Sequence, residues 1–172
     1  MFHMDGRPAY DGGATVPSLE RTESCMSDDE RPAILVADDQ PESVRAISFA
    51  LEQAGYNVLV ATGGCAALRS ARANRPDLIL LDVCMPDMDG DEVCRRLKQD
   101  QITHDIPVIL LTSREEHDHL GPGLRAGGVD SIEKPFETDA GLARVRTQLE
   151  LCWLRRSLAS LTGDQRARGC TS

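Results

Sequence analysis

The sequence predicts an α/β protein: a doubly wound, five-stranded parallel sheet between two helical layers. Three observations carry this reading. Five short apolar runs recur along the chain, with segments of helical periodicity between them. The runs are continuously apolar rather than alternating, as strands buried on both faces must be. Acidic, hydroxyl and basic residues stand directly after the runs, and in such a sheet the functional crevice lies outside the carboxyl ends of the strands.

The elements follow in order. Ala33-Ile34-Leu35-Val36-Ala37 is the first strand, and two aspartates come next. Val44, Ile47, Leu51 and Ala54 repeat at helical spacing until Gly55 stops the pattern. Tyr56 to Val60 is the second strand, and an alanine-rich helix spans about Gly64 to Asn74. Asp77 to Leu81 is the third strand, ending at Asp82. A helix from Gly90 to Lys98 carries Val93 and Leu97 on one side, and Ile106 to Leu111 is the fourth strand. A weak helix reaches Ala126, interrupted by Gly121-Pro122-Gly123. Val129 to Glu133 is a short fifth strand, and the last helix starts near Thr138 and runs past Trp153.

Three regions follow: a disordered arm over residues 1–31, a folded domain over 32–150, and a helix extension with a polar tail over 151–172. The net charge of −9 argues against a surface built to wrap nucleic acid, because phosphate contacts need clustered Lys and Arg. Direct nucleic-acid contact is therefore not expected. The six cysteines form no CxxC pair and match no zinc spacing, so they read as reduced thiols of a cytoplasmic protein. No apolar run is long enough to cross a membrane, and the N-terminal residues lack a secretory apolar segment.

At the strand ends stand Asp38 and Asp39, then Asp82, then Thr112 and Ser113, then Lys134 and Pro135. Singly, an Asp there is ordinarily a cap or turn residue and a Lys-Pro pair a solvated turn. Turns do not explain all of them gathered along one edge. Three carboxylates in a small space repel, and a hard divalent cation relieves that repulsion. An oxygen-only ligand set suits Mg²⁺ better than a soft metal. A carboxylate beside such an ion can attack phosphorus, while the ammonium and a hydroxyl take up charge on the transferring oxygens.

These residues resemble the receiver domain of bacterial response regulators in two-component signalling, over about Ala33 to Leu149. The likeness rests on Leu35-Val36-Ala37-Asp38-Asp39, on Leu80-Leu81-Asp82-Val83-Cys84-Met85-Pro86-Asp87-Met88-Asp89-Gly90, on Leu110-Leu111-Thr112-Ser113 and on Glu133-Lys134-Pro135-Phe136. It implies a flavodoxin-like (βα)5 three-layer sandwich. It further implies Asp82 as phosphoacceptor and Mg²⁺ held by Asp38, Asp39, Asp82 and the backbone carbonyl of Cys84. Thr112 would be the switch hydroxyl, Lys134 would bind the phosphoryl group, and the bond before Pro135 would be cis. The phosphoryl donor would be a sensor histidine kinase or a phosphotransfer protein, the output a downstream protein target, and the chain a phosphoacceptor rather than a dedicated enzyme.

Three departures from the family stand out. Ser131 occupies the switch position that usually holds Tyr or Phe. Gly121-Pro122-Gly123 interrupts the region of the fourth helix. Cys84 and Arg114 occupy the two positions that tune phosphoryl lifetime. The acidic surroundings of Cys84 disfavour a reactive thiolate, and Glu115-Glu116-His117-Asp118-His119 reads as a solvated polar stretch rather than a metal site. Two other readings compete. One is a protein-binding module without phosphorylation. The other is an aspartyl-phosphate phosphohydrolase resembling the haloacid dehalogenases, which need an acid–base Asp where this chain has Cys84. Finally, Leu151, Leu154, Leu158 and Leu161 follow a heptad-like alternation and offer a route to a homodimer through the last helix.

Overall fold

The computed structural model describes residues 31–113 and 126–167, with side chains up to 160. The proposed N-terminal arm, the Gly121-Pro122-Gly123 helix, Arg114 and the polar stretch at 115–119 lie outside the described residues.

Five parallel strands form one sheet in the order β2-β1-β3-β4-β5. They are β1 (Ala33–Ala37), β2 (Asn57–Ala61), β3 (Leu78–Asp82), β4 (Val108–Thr112) and β5 (Asp130–Glu133). The described helices are α1 (Pro41–Gln53), α2 (Gly64–Asn74), α3 (Gly90–Gln99) and α4 (Thr138–Ala167). From β1 the chain turns to one side to make β2 and to the other to make β3. That reversal is the topological switch point at which doubly wound sheets bind ligands.

Residue parity decides which layer each strand side chain serves. Leu35, Ala37, Ile79, Leu81, Val108 and Leu110 pack with Ala67 and Ala71 of α2 and with Val93, Cys94 and Leu97 of α3. Ile34, Val36, Leu78, Leu80, Ile109 and Leu111 pack instead with Ile47 and Leu51 of α1 and with Val145 and Leu149 of α4. The continuous apolar runs of the sequence thus feed two cores at once. Each fully buried Leu or Ile contributes about 1.5–3 kcal/mol.

Local chemistry sets the element ends. Pro41 opens α1, where its fixed φ suits the first turn and its missing N–H is not needed. Gly55, at φ 87°, leads the chain out of that helix. The Tyr56 N–H still donates to the Leu51 carbonyl, so β2 begins at Asn57, one residue later than its apolar run suggested. Likewise β4 begins at Val108 rather than Ile106, because Pro107 has no N–H to pair, although its carbonyl accepts from Ile79. The end of α3 is held by Thr103, whose hydroxyl donates to the Leu97 carbonyl at 2.8 Å. Lys98 adds bonds to the His104 and Ile106 carbonyls. Helix α4 runs unbroken through residue 151 to Ala167.

Gly90 opens α3 directly against the end of β3. A Cβ there would lie 2.3 Å from the Asp82 carbonyl oxygen and 2.8 Å from the Val83 Cα. The Gly90 N–H also donates to the Val83 carbonyl at 2.8 Å, which closes the intervening loop. Gly90→Ala should therefore cost about 1–3 kcal/mol through forced backbone shifts, read as a lower urea midpoint with an unchanged slope.

Candidate functional site

The carboxyl edge of the sheet brings the sequence-predicted residues together. Asp38 and Asp39 follow β1, Asp82 is the last residue of β3, Thr112 ends β4, and Lys134 follows β5. Carboxylate oxygens of Asp38, Asp39 and Asp82 lie within 4.8 Å of one another. Lys134 Nζ lies 2.8 Å from Asp38 Oδ2 and 2.8 Å from Asp82 Oδ1. Asp38 is fully buried and Asp82 only 2% exposed. The Lys134–Pro135 bond is cis, as the resemblance implied.

Each group is oriented from its own neighbourhood. Asp38 Oδ1 accepts the Gln40 N–H at 2.8 Å, and Asp38 Oδ2 accepts the Ser43 hydroxyl at 2.7 Å. The first turn of α1 thereby fixes this carboxylate. The Lys134 N–H donates to the Thr112 carbonyl at 2.7 Å, tying the lysine to the end of β4. Burial alone would push the Lys134 ammonium towards neutrality. Hydrogen bonds and charges from Asp38 and Asp82 outweigh it and hold the pKa above the usual lysine value.

Two buried oxygens test whether the site fits an ion or ligand. Asp39 Oδ1 and Thr112 Oγ1 have no hydrogen-bond partner among the described residues. Such orphans are costly unless an ion or ligand completes them. Charge tells the same story: three carboxylates against one ammonium leave two negative charges, which one divalent cation balances. All the side-chain donors here are hard oxygens, which fits Mg²⁺.

The site opens into a cavity of about 490 Å³ lined by Glu42, Ser43, Asp82, Cys84, Ser113 and Lys134, among others. Cys84 is exposed at this rim. Cys94, by contrast, is buried in the core, and burial pushes its thiol up to about 11, so a thiolate there is disfavoured. Ser131 is half-buried on β5, paired with Leu110 of β4, and its N–H donates to Asp130 Oδ1. No aromatic ring stands at that position.

Sequence reading missed the role of Asp87. Its carboxylate accepts the Gly64 and Cys65 N–H groups at 2.9 Å each, and so caps α2 from the loop that follows Asp82. The bonds from Cys65 and then Gly64 hold its carboxyl below the usual range. The available signal was weak: a helix starting at Gly64 has no capping side chain of its own.

The profile of the family described as response regulator receiver domain matches residues 34–146. The DNA-binding dual master transcriptional regulator RpaA of Synechocystis is 42% identical over 118 residues, 69% of this chain and 49% of that protein. The phosphate regulon transcriptional regulatory protein PhoB of Pseudomonas aeruginosa is 42% identical over 116 residues, 67% of this chain and 51% of that protein. A crystal structure of a putative response regulator from Chloroflexus aurantiacus superposes with a TM-score of 0.68 at 31% identity, covering 70% of this chain and 99% of that one. The chain spans about half the length of these two regulators. Their names leave the expectation of no nucleic-acid contact without support: net charge describes this chain alone, and half of each relative lies beyond the match. Among the described residues no helix is long and apolar enough to cross a membrane.

The Asp87 cap gives a pH test. A folded-state pKa below 3.8 means the charged cap stabilises above that value and is lost as pH falls through the lowered pKa. Asp87→Asn should lower the melting temperature at neutral pH, and the gap to the unaltered protein should close in strongly acidic buffer.

Proposed function

The chain belongs to the response regulator receiver domain family of two-component signalling, and from that premise we propose that it accepts a phosphoryl group on Asp82 in a Mg²⁺-dependent reaction and switches a partner's activity. The observation that carries this is the cluster of Asp38, Asp39 and Asp82, with the Lys134 ammonium against Asp38 and Asp82 and the Asp39 and Thr112 oxygens left unpartnered among the described residues. Asp38, Asp39, Asp82 and the Cys84 carbonyl would hold the ion. Bound there, the ion supplies charge neutralisation for the phosphoryl oxygens.

The chain's own groups account for the rest. An Asp82 carboxylate oxygen forms the new O–P bond while the donor's P–N bond breaks, its electron pair leaving with the donor imidazole. Lys134, already beside Asp82, stabilises charge on the transferred group. The Thr112 hydroxyl, without a hydrogen-bond partner among the described residues, would donate to a phosphoryl oxygen. Because Ser131 replaces the usual aromatic, movement of Thr112 cannot be relayed by a ring there, and output runs through other contacts.

The donor would be a sensor histidine kinase or a phosphotransfer protein, and the chain would act in the cytoplasm as a phosphoacceptor, not a dedicated enzyme. The DNA-binding relatives make transcriptional control the output this reading favours.

Incubation with Mg²⁺ and acetyl phosphate should add one phosphoryl group to the intact mass, and Asp82→Asn should abolish the adduct. Asp39→Asn should raise the Mg²⁺ concentration required by about tenfold or more. An adduct that survives in Asp82→Asn would sink the assignment.

A further inference from the structure

The amino edge of the sheet, opposite Asp82, holds a second cavity. It has a volume of about 340 Å³ and lies where α3 ends, where β4 and β5 begin, and where the second half of α4 passes. Small-molecule pockets run from roughly 300 to 1,000 Å³. The acidic site makes no use of it.

One side of this cavity is cationic. Lys98 of α3 and Arg155 and Arg156 of α4 line it, against one carboxylate, Asp105. Two positive charges are left over, in a chain whose net charge is −9. Asp105 lies 3.2 Å from His104 and Arg156 lies 3.3 Å from Asp77, which stands outside the cavity. Arg155 is exposed and has no hydrogen bond or ion pair among the described residues. Lys98 donates to the His104 and Ile106 carbonyls. An ammonium has three donors, so one is left over. Burial holds the Lys98 pKa below the usual lysine value, and an anion beside it would offset that desolvation.

The other side is apolar. Pro107 and Val129 stand just ahead of β4 and β5, facing the same space as Ala159 of α4. Val129 is 37% exposed, an apolar surface that a ring would cover. A seat for an anion beside a seat for a ring selects a ligand that carries both. A phosphate monoester brings about −1.5 to −2 charges at neutral pH, which matches the surplus. Guanidinium forks also fit phosphate oxygens better than a lone ammonium does.

We propose that this cavity binds a phosphate monoester with a ring-sized body, of the chemical class of nucleoside monophosphates, with the phosphate on Lys98 and Arg155 and the ring against Pro107 and Val129. Because α4 supplies part of the lining, an occupant ties the second half of that helix to the body of the domain. The proposal does not depend on phosphoryl acceptance at Asp82.

Calorimetric titration of the complete chain with AMP and with UMP, in Mg²⁺-free buffer, tests it. Without the ion, the acidic site repels a phosphate. The expected result is one site for at least one of the two probes, with a Kd on the order of 100 μM. The matching nucleoside and inorganic phosphate should each bind at least about tenfold more weakly. Arg155→Glu should weaken binding by about tenfold or more. Arg146→Glu, at an exposed position of the same helix outside the cavity, should change it by less than about twofold. Both variants should keep the circular dichroism spectrum and the acetyl phosphate adduct, so this proposal and the assignment of Asp82 fail separately. Neither probe binding at about 5 mM, phosphate binding as tightly as the nucleotide, or equal effects of the two arginine variants would each overturn the site.

Discussion

The unbalanced charge at the carboxyl edge of the sheet is the constraint from which the rest follows. Asp38 and Asp82 are held away from water beside Asp39, and Lys134 is the ammonium that reaches both. Lys134 leaves β5, two strands from β3 and three from β1. At the usual spacing of parallel strands that is roughly 10 Å to β3, so only a long side chain can span it. Its path crosses the end of β4, where the small Thr112 stands. A parallel sheet is needed to deliver all four ends to one edge, and the β5 end must be pinned, which the Lys134 N–H to Thr112 carbonyl bond does.

The helices answer to the same edge. Ser43, in the first turn of α1, takes up Asp38 Oδ2, so the helix that covers one face also sets the orientation of a proposed metal ligand. Asp87 binds the start of α2, and Gly90 lets α3 begin in contact with the β3 backbone. Helices α1, α2 and α3 are thus each fixed by a polar or close-packed contact at the amino end. The far ends rely on different chemistry, such as Thr103 and Lys98 at the close of α3.

Much of this was legible in the sequence, for identifiable reasons. Strands buried on both faces are written as uninterrupted apolar runs, so β1, β3 and β4 were evident, and a strand end carrying Asp or Lys marks the crevice by topology alone. Single-residue boundaries were not legible. Whether Tyr56 joins β2 or closes α1 depends on its bond to Leu51, and the start of β4 depends on the missing N–H of Pro107. The Asp87 cap was hidden because its partners lie 22 and 23 residues earlier, beyond any local pattern. The same holds for Asp77, which accepts from the Ala33 N–H and lies beside Arg156.

The loop between Asp82 and Gly90 is clasped at both ends, by the Val83–Gly90 bond and by Asp87 on α2. Between the clasps, the proposed ligand role of Cys84 involves its main-chain oxygen only, while its side chain is exposed. Any L-residue carries that oxygen. Selection can therefore rewrite the side chain at 84 with little loss of ion affinity or fold, and alter how water reaches Asp82. Under the proposed function, the side chain at 84 would set how long a phosphoryl group lasts on Asp82, separately from the groups that hold it there.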